Sequence, residues 1–425
     1  MTSRRDFIKS ASASAIAAPF LMSLKFKETD PVVNDFPAEN DPEYWKLIRK
    51  MFPLPDDETY FNTGTLGVQP TMVLNSVVND MRSNMRNAAQ CDYAGNGPLL
   101  LSGYSDEINI RTKLAKLINA QTGEISLTQN ATMSMNFISN GLDLKKGDEI
   151  ITTNMEHPGG KCGWELMAKR KGVIIKQVEI PVPANDPGEI VSRLKKLITP
   201  NTRVIAMAHI ISGFGLILPV KEINYEAKKY DIFTIFDGAQ SIGHIPLDMK
   251  DIGCDAYYSS PHKWLLAPAG NGLLYVKNDV YDQIWTTIAS SQWDNYEDNG
   301  YRLTQRGTGN PSLLVGLDKA IDFHNTLGPE KVYKRIKYLG DYLREGLKTI
   351  KNVKINSSVH PEMCAGITTY GVAGKTGLEI QNEMWNRKKL QPRAVGENGI
   401  RHSTHIYNSI EEIDAGLEII RNIAG

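Results

Sequence analysis

The chain has 425 residues, of which 41% are hydrophobic and 23% are charged, as expected for a globular protein of two or three domains. Lysine plus arginine and aspartate plus glutamate each total 48, so the net charge is zero and no general nucleic-acid-binding surface is indicated. The four cysteines lie far apart without a CxxC spacing, which argues against a disulfide scaffold and a zinc cluster. We therefore expect no metal site.

The first predicted element is an export signal in residues 1–27. Arg4 and Arg5 precede Phe-Ile-Lys, and residues 10–24 then form a short run without charge. A basic start followed by a short apolar run is typical of a signal peptide, and the paired arginines resemble a twin-arginine signal. A basic amphipathic helix on a cytosolic protein is the alternative, but the uncharged run disfavours it. We expect twin-arginine export to the periplasm, with the cleavage site left open.

The rest of the chain is predicted to contain an N-terminal arm at 28–70, a large domain at 71–310 and a small C-terminal domain at 311–425. Helical patterns lie at 189–198 and 220–230, between strand-like runs at 124–128, 149–153, 173–180, 204–210, 232–236 and 273–276. Such alternation predicts an α/β fold with a mostly parallel central sheet and helices on both faces. Long helices at 313–326 and 332–350 and a strand–helix unit predict a smaller α/β domain.

Polar residues follow the predicted strands, where ligands collect in sheets of this kind. Asp237 follows one strand-like run, and Lys263 lies in the segment YYSSPHKW after another apolar run. A desolvated lysine amine can form a Schiff base with an aldehyde, and pyridoxal phosphate (PLP) is the common aldehyde cofactor. Asp237 could contact its pyridine nitrogen, a helix start at Ala131 and Thr132 could hold its phosphate, and His157 could cover its ring. Taken singly, these residues also fit a turn former, an N-cap and a loop histidine.

Eight ordered motifs carry a family resemblance that covers roughly residues 45–420. The chain resembles the class V aminotransferases, fold-type I PLP enzymes that include cysteine desulfurases and isopenicillin N epimerase-like proteins. The motifs are NTGTLGVQP at 62–70, QNATMSMN at 129–136, MEHPGG at 155–160, AHIISGFGLILPV at 208–220, DGAQSIG at 237–243, SSPHKWLLAPAGNGLLYV at 259–276, RGTGNPS at 306–312 and RHSTHIYNSIEEID at 401–414. This resemblance implies the PLP-dependent transferase fold of type I.

The resemblance also implies a set of cofactor-binding residues. Lys263 is similar to the Schiff-base lysine and Asp237 to the partner of the pyridinium, so these two and His157 are the predicted catalytic residues. The remaining contacts are predicted to hold the phosphate, the ring hydroxyl and the ring face: Ala131, Thr132, His157, Ser212, Gln240, Ser260 and His262. At Ser212 the desulfurases often have an asparagine, which puts that contact in doubt.

Further residues are implied to contact the substrate or a second subunit. Arg401 resembles the arginine that clamps the α-carboxylate of the substrate, since a planar guanidinium binds a carboxylate through two bonds, and Asn62 is predicted to bind substrate beside it. Thr308 resembles the threonine that reaches the phosphate of the neighbouring subunit, which predicts a homodimer. The expected partners are thus an amino-acid or peptide-like substrate and a second copy of the chain.

The reaction type stays open at this point. Desulfurases carry a nucleophilic cysteine shortly before the carboxylate-binding arginine, but no cysteine lies between Ala365 and Arg401, and Cys364 is too early in the chain. We expect a PLP-dependent enzyme in which Lys263 removes the Cα proton of an amino acid or an amino-acid moiety, as an aminotransferase or epimerase. The alternatives are a C–S lyase without a persulfide cysteine and a non-catalytic exported binding protein.

Overall fold

The computed structural model describes residues 42–90, 105–305 and 307–425, so the predicted export signal lies outside the described residues. The α-helices are α1 Pro42–Lys50, α2 Thr71–Arg86, α3 Ile108–Leu117, α4 Ala131–Gly141, α5 Pro158–Lys171, α6 Pro187–Lys195, α7 Val220–Lys228, α8 Met249–Ile252, α9 Asn299–Thr304, α10 Pro311–Leu327, α11 Pro329–Lys348, α12 Gly377–Lys388 and α13 Ile410–Ala424. Short 3₁₀ turns cover Ala88–Gln90, Thr122–Glu124 and Asn278–Gln283. Among the described helices, none is long and apolar enough to cross a membrane.

Within the described residues, the strands form two larger sheets and two short pairs. They are β1 Thr59–Tyr60, β2 Ile125–Thr128, β3 Glu149–Thr153, β4 Ile174–Val178, β5 Thr202–Ala208, β6 Ile210–Ile211, β7 Leu216–Ile217, β8 Phe233–Asp237, β9 Ala256–Ser259, β10 Gly272–Val276, β11 Val353–Ile355, β12 Ile367–Val372, β13 Leu390–Gln391, β14 Arg393–Val395 and β15 Gly399–Ser403. The short pairs are β1 with β13 and β6 with β7.

The central sheet has seven strands in the order β2-β10-β9-β8-β5-β3-β4. Strands β9, β8, β5, β3 and β4 are parallel, whereas β10 is antiparallel to both of its neighbours. The predicted α/β class with a mostly parallel sheet is confirmed, and the antiparallel β10 is an addition. Because β2 opposes β10 and β10 opposes β9, β2 runs in the same direction as the parallel strands, and its carboxyl end reaches the same edge of the sheet.

Alternate residues of the central strands enter two separate apolar cores. On one face, Ile151, Ile205 and Phe236 share a core with residues of α3, α6, α7 and α10. On the other face, Ile150 and Val204 share a core with residues of α4 and α5. This division explains why the strands have near-continuous apolar sequences: both faces of a parallel sheet are covered by helices, so neither face can be polar.

A second sheet of four antiparallel strands has the order β11-β12-β15-β14. Its apolar residues, such as Tyr370 and Ile400, pack in a core with residues of α11, α12 and α13. The register of the hairpin places Arg393 of β14 directly opposite Arg401 of β15. This sheet therefore supplies the arginines that face the central sheet's ligand-binding edge. The predicted domain boundaries at 70 and 310 stay a prediction.

Candidate active site

A cavity of about 630 Å³ lies at the carboxyl ends of β3, β5, β8 and β9 and at the N-terminus of α4. This is the edge at which ligands bind in sheets of this class. Residues 393–396 and Arg401 of the second sheet complete its wall. Ten of the predicted site residues line this cavity: Ala131, Thr132, His157, Ser212, Asp237, Gln240, Ser260, His262, Lys263 and Arg401.

Lys263 lies in the turn that follows β9, and a close backbone contact fixes this turn. The N–H of Gly67 donates to the carbonyl of His262 at 2.8 Å. A Cβ atom at Gly67 would lie 1.9 Å from the carbonyl oxygen of Lys263, so only glycine permits this approach. Burial lowers the pKa of the Lys263 amine to about 8; Asp237 opposes this shift, and the nearby Arg401 adds to it. A substantial fraction of the amine is therefore neutral, and nucleophilic, close to physiological pH.

Asp237 ends β8 with its carboxylate buried at the floor of the cavity. Its Oδ1 accepts a hydrogen bond from the N–H of Ala239 at 2.8 Å, and the Tyr258 hydroxyl also bonds to the carboxylate. Burial raises the pKa of Asp237, while these two bonds and the Lys263 charge lower it. A Cβ atom at Gly160 would lie 2.8 Å from Asp237 Oδ2, so the absence of a side chain there lets α5 begin beside the carboxylate.

A second carboxylate, that of Glu156, stands near Asp237 and was not among the predicted site residues. It accepts hydrogen bonds from the hydroxyl of Thr153 at 2.7 Å and from the N–H of Ala208 at 3.1 Å. Burial raises the pKa of Glu156 to about 7, and the Asp237 charge adds to the shift. Glu156 thus ties the end of β3 to the end of β5 and changes its charge near neutral pH.

The N-terminus of α4 forms a polar, uncharged end of the cavity. Asn130 caps the helix by accepting from the N–H of Met133 at 2.9 Å, and Ser260 Oγ accepts from the N–H of Ala131 at 3.0 Å. His262 adds a buried Nδ1 that has no partner among the described residues, and burial lowers the pKa of His262 to about 4. Helix N–H groups, a hydroxyl and a neutral imidazole together suit an anion, so the N-cap and the phosphate-site interpretations are compatible.

His157 and Gln240 are both held by hydrogen bonds within the chain. His157 caps α5, with its Nδ1 accepting from the N–H of Gly159 at 3.1 Å, and burial lowers its pKa, with Lys263 adding to the shift. The amide of Gln240 donates to the carbonyl of Gly64 at 2.8 Å and accepts from Trp264 Nε1 at 2.7 Å. One N–H of the Gln240 amide is left for a ligand.

Arg401 is buried on β15, and its guanidinium is oriented by neutral acceptors. Nη2 donates to Asn62 Oδ1 at 3.0 Å and to Thr65 Oγ1 at 2.9 Å, and Nη1 donates to the carbonyl of Ser212 at 2.9 Å. Nε is buried without a partner in the described part of the chain. Asn62 contacts Arg401 and does not line the cavity, and its predicted contact with substrate stays a prediction.

Comparison with known proteins shows to which family this chain belongs. The model of the family described as "Aminotransferase class-V" matches residues 70–415. The chain belongs to the aminotransferase class-V family. It is 27% identical to the isopenicillin N epimerase of Amycolatopsis lactamdurans over 89% of this chain and 98% of that protein. It is equally similar, at 27% over 89% and 98%, to a probable cysteine desulfurase of Methanothermobacter thermautotrophicus.

Solved structures support the same family and fold. A mutant of C-DES with glycine covalently linked to its PLP cofactor is 26% identical, with a TM-score of 0.78 over 88% of this chain and 99% of that one. The cystine C–S lyase C-DES in complex with its reaction product cysteine persulfide gives a TM-score of 0.77, at 26% identity over 86% and 98%. This class V chain therefore has the fold-type I architecture that its motifs predicted.

Arg393 belongs to this class V site but was not predicted from the sequence, and the predicted residue Thr308 lies outside the cavity. Arg393 lines the cavity, and its Nη1 donates at 2.8 Å to Thr65 Oγ1, the oxygen that Arg401 also contacts. Thr308 is exposed and does not line the cavity of its own chain. Its predicted role at the phosphate of a second subunit stays a prediction.

Proposed function

We propose that this class V chain is a PLP-dependent enzyme that acts at the Cα of an amino acid, or of the amino-acid part of a larger molecule, as an aminotransferase or epimerase. One observation carries the proposal: Lys263, with its pKa lowered to about 8, shares a cavity with the buried Asp237 and the guanidinium of Arg401. Family membership and the likeness to C-DES, which is solved with PLP, support the choice of cofactor.

The residues present fit this cofactor. Its aldehyde needs an amine, which Lys263 supplies, and its pyridine nitrogen needs an acid, which Asp237 supplies. Its phosphate needs donors, and the buried Nδ1 of His262, near the N-terminus of α4, has no partner among the residues that the structure describes. Lys263 would hold PLP covalently, Asp237 would hold the ring nitrogen, and Thr132, Ser260 and His262 would hold the phosphate. His157 would cover the ring.

Arg401, Lys263 and His157 each have a separate role in the proposed reaction. PLP, when bound, withdraws electrons from the Cα of an attached amino acid and so makes its proton acidic. Arg401 would bind the α-carboxylate with the N–H groups that Asn62, Thr65 and Ser212 leave unused, among them the Nε–H, which has no partner among the described residues. Once the amino group of the substrate has taken its place, the neutral amine of Lys263 would take the Cα proton as a general base. His157 has a lowered pKa and would stay uncharged beside it.

The cysteines favour transamination or epimerisation over persulfide chemistry. Among the described residues, none of Cys162, Cys254 and Cys364 lines the cavity. Cys364 is buried, with its thiol bonded to the carbonyl of His360, and burial raises its pKa. A C–S lyase reaction without a persulfide cysteine is the second candidate, since the similar C-DES is a cystine C–S lyase. Assays for keto acid, inverted stereocentre and released thiol on one substrate panel distinguish these reactions.

The proposal is tested on the purified chain by adding PLP and recording the visible absorption spectrum. We expect a yellow protein whose band disappears on borohydride reduction. Peptide mass spectrometry is then expected to find the reduced cofactor on Lys263. A chain that stays colourless in excess PLP, or that carries the cofactor on another lysine, would overturn the proposal and favour the non-catalytic binding role.

We also propose export by the twin-arginine route, on the basis of Arg4 and Arg5 and the uncharged run after them. Replacing both arginines by lysine keeps the positive charge but removes the paired-arginine signal. We expect fractionation of a producing bacterium to find the unchanged chain in the periplasm and the double variant in the cytoplasm. An identical distribution of the two proteins would contradict the proposal.

A further inference from the structure

The cavity contains a second guanidinium that the proposed function does not use. Arg393 on β14 is the register partner of Arg401 on β15, and both side chains line the cavity. Each donates a hydrogen bond to the same atom, Thr65 Oγ1, at 2.8 Å and 2.9 Å. In the described part of the chain, no carboxylate lies within 4.0 Å of either guanidinium as an ion-pair partner.

This arrangement carries an electrostatic cost that a bound anion would remove. Like charges directly opposite each other on neighbouring strands destabilise a sheet. The effect is visible at Arg401, whose pKa is lowered to about 10 by burial and further by Arg393. A neutral hydroxyl joins the two guanidinium groups but cannot balance two positive charges. The one acidic side chain among the described lining residues is Asp237, which faces Lys263.

The side chains of Arg401 and Arg393 differ in how far they are buried. Arg401 is only 5% exposed and is held by three neutral acceptors, whereas Arg393 is exposed at the wall of the cavity. The proposed function assigns the buried arginine to the α-carboxylate, next to the reacting carbon. The outer arginine is then available to the part of a substrate that lies farther from this carbon.

The backbone of Arg393 is anchored in the sheet, and its guanidinium is oriented by the hydrogen bond to Thr65. Its strand pairs with β15, and the N–H of the next residue, Ala394, donates to Gln381 Oε1 of α12 at 2.7 Å. Thr65 donates its own proton to Asn62 Oδ1 at 2.8 Å, so its oxygen is left to accept from the two guanidinium groups. Side chains fixed in this way before binding lose little freedom when a ligand arrives.

We propose that the substrate is an amino acid, or an amino-acid moiety, that carries a second anionic group such as a side-chain carboxylate, and that Arg393 binds this group. The inference rests on the proposed function, because it takes Arg401 as the ligand of the α-carboxylate. It makes Arg393 a specificity-determining residue. The rival interpretation is that both arginines bind one and the same carboxylate.

The test compares anions that have nearly the same shape and differ by one charge. Isothermal titration calorimetry of the purified full chain would measure the binding of succinate, glutarate and adipate and of the three corresponding half-amides. We expect at least one dianion to bind about tenfold or more tightly than its half-amide, as for a charge-assisted hydrogen bond. In Arg393→Gln this ratio is expected to fall to about one, with half-amide binding almost unchanged.

Two further variants make the result decisive. Arg393→Lys keeps the charge and is expected to retain part of the preference for the dianion, which separates loss of charge from loss of folding. Arg387→Gln removes an arginine of α12 that bonds to Glu383 outside the cavity, and it should bind like the unchanged protein. Equal losses for dianion and half-amide in Arg393→Gln would show a shared carboxylate and overturn the proposal, as would no preference in the unchanged protein.

Failure of this inference is distinguishable from failure of the proposed function. The calorimetric preference needs no turnover and no colour, whereas the proposed function is tested by PLP attachment to Lys263. A protein that takes up PLP but shows no dianion preference would overturn only the inference. With a substrate in hand, Arg393→Gln should lower kcat/KM about tenfold for aspartate or glutamate relative to asparagine or glutamine.

Discussion

Replacing Lys263 by alanine is expected to lower kcat by about 10²-fold to 10⁴-fold, the range for loss of a positioned general base. The amine lies in a cavity with Asp237, and its pKa is lowered to about 8 by burial, so it can act as a base near neutral pH. Alanine leaves no titratable group at this point. Initial rates of the PLP-loaded protein, with the substrate found in the product panel, measure the loss.

A matched control is Lys250→Ala, at an exposed position of α8 outside the cavity, which should keep the rate of the unchanged protein. Methylamine should restore part of the activity of Lys263→Ala, because a small free amine can enter the space that the side chain leaves. A Lys263→Ala protein that keeps more than about a tenth of the original rate would contradict the assignment, given the magnitude of general base catalysis.

The sequence predicted the central sheet well where its strands are long and apolar. Strands such as β5 and β8 are buried on both faces, so their β-branched and aromatic runs stand out from the helices between them. The direction of β10 was not predictable in this way. A run such as LLYV is equally apolar in a parallel and an antiparallel pairing, and the pairing depends on the path of the chain between β9 and β10.

The site was predictable where a residue directly follows a strand or begins a helix. Asp237, Lys263 and Ala131 meet at one edge because parallel strands end there, and sequence position alone indicates this. The contact between Asn62 and Arg401 was not predictable, since it is a hydrogen bond between side chains distant in sequence. No local sequence pattern predicts such a hydrogen bond.

Arg393 was missed although the sequence holds a signal for it. The segment Gly396-Glu397-Asn398 between two short runs fits a three-residue hairpin loop that contains glycine, and a hairpin around this loop places Arg393 opposite Arg401. Glu156 was missed for a different reason. It lies in the motif MEHPGG, but its carboxylate turns back to Thr153 and to the N–H of Ala208, a contact between neighbouring strands that only the fold produces.

Replacing Asp237 by asparagine is expected to lower kcat by about 10²-fold to 10³-fold, comparable to the loss of one preorganised electrostatic contact in an active site. The negative charge would keep the ring nitrogen of PLP protonated, which the isosteric amide cannot do. The change also affects Lys263, because the Asp237 charge raises the pKa of the lysine against the effect of burial. In Asp237→Asn the pKa of Lys263 should therefore fall below about 8.

The direction of the pKa shift of Lys263 in Asp237→Asn is measurable. PLP attachment needs the neutral amine, so in the unchanged protein its rate should rise with pH through about 8 and then level off. In Asp237→Asn the midpoint should move to lower pH. Tyr258→Phe is the control: it removes one bond to Asp237 but keeps the charge, so the Lys263 midpoint should stay in place. An unmoved midpoint in Asp237→Asn would contradict the predicted coupling.

The size of the loss of kcat in Asp237→Asn depends on Glu156. Its pKa is raised to about 7 by burial and by the Asp237 charge, so removing that charge should lower the pKa of Glu156 and leave it more fully ionised at neutral pH. A second carboxylate would then replace part of the lost charge near the ring nitrogen. We expect Glu156→Gln in the Asp237→Asn background to cost more kcat than it does alone. Equal costs in both backgrounds would show that the two carboxylates act independently.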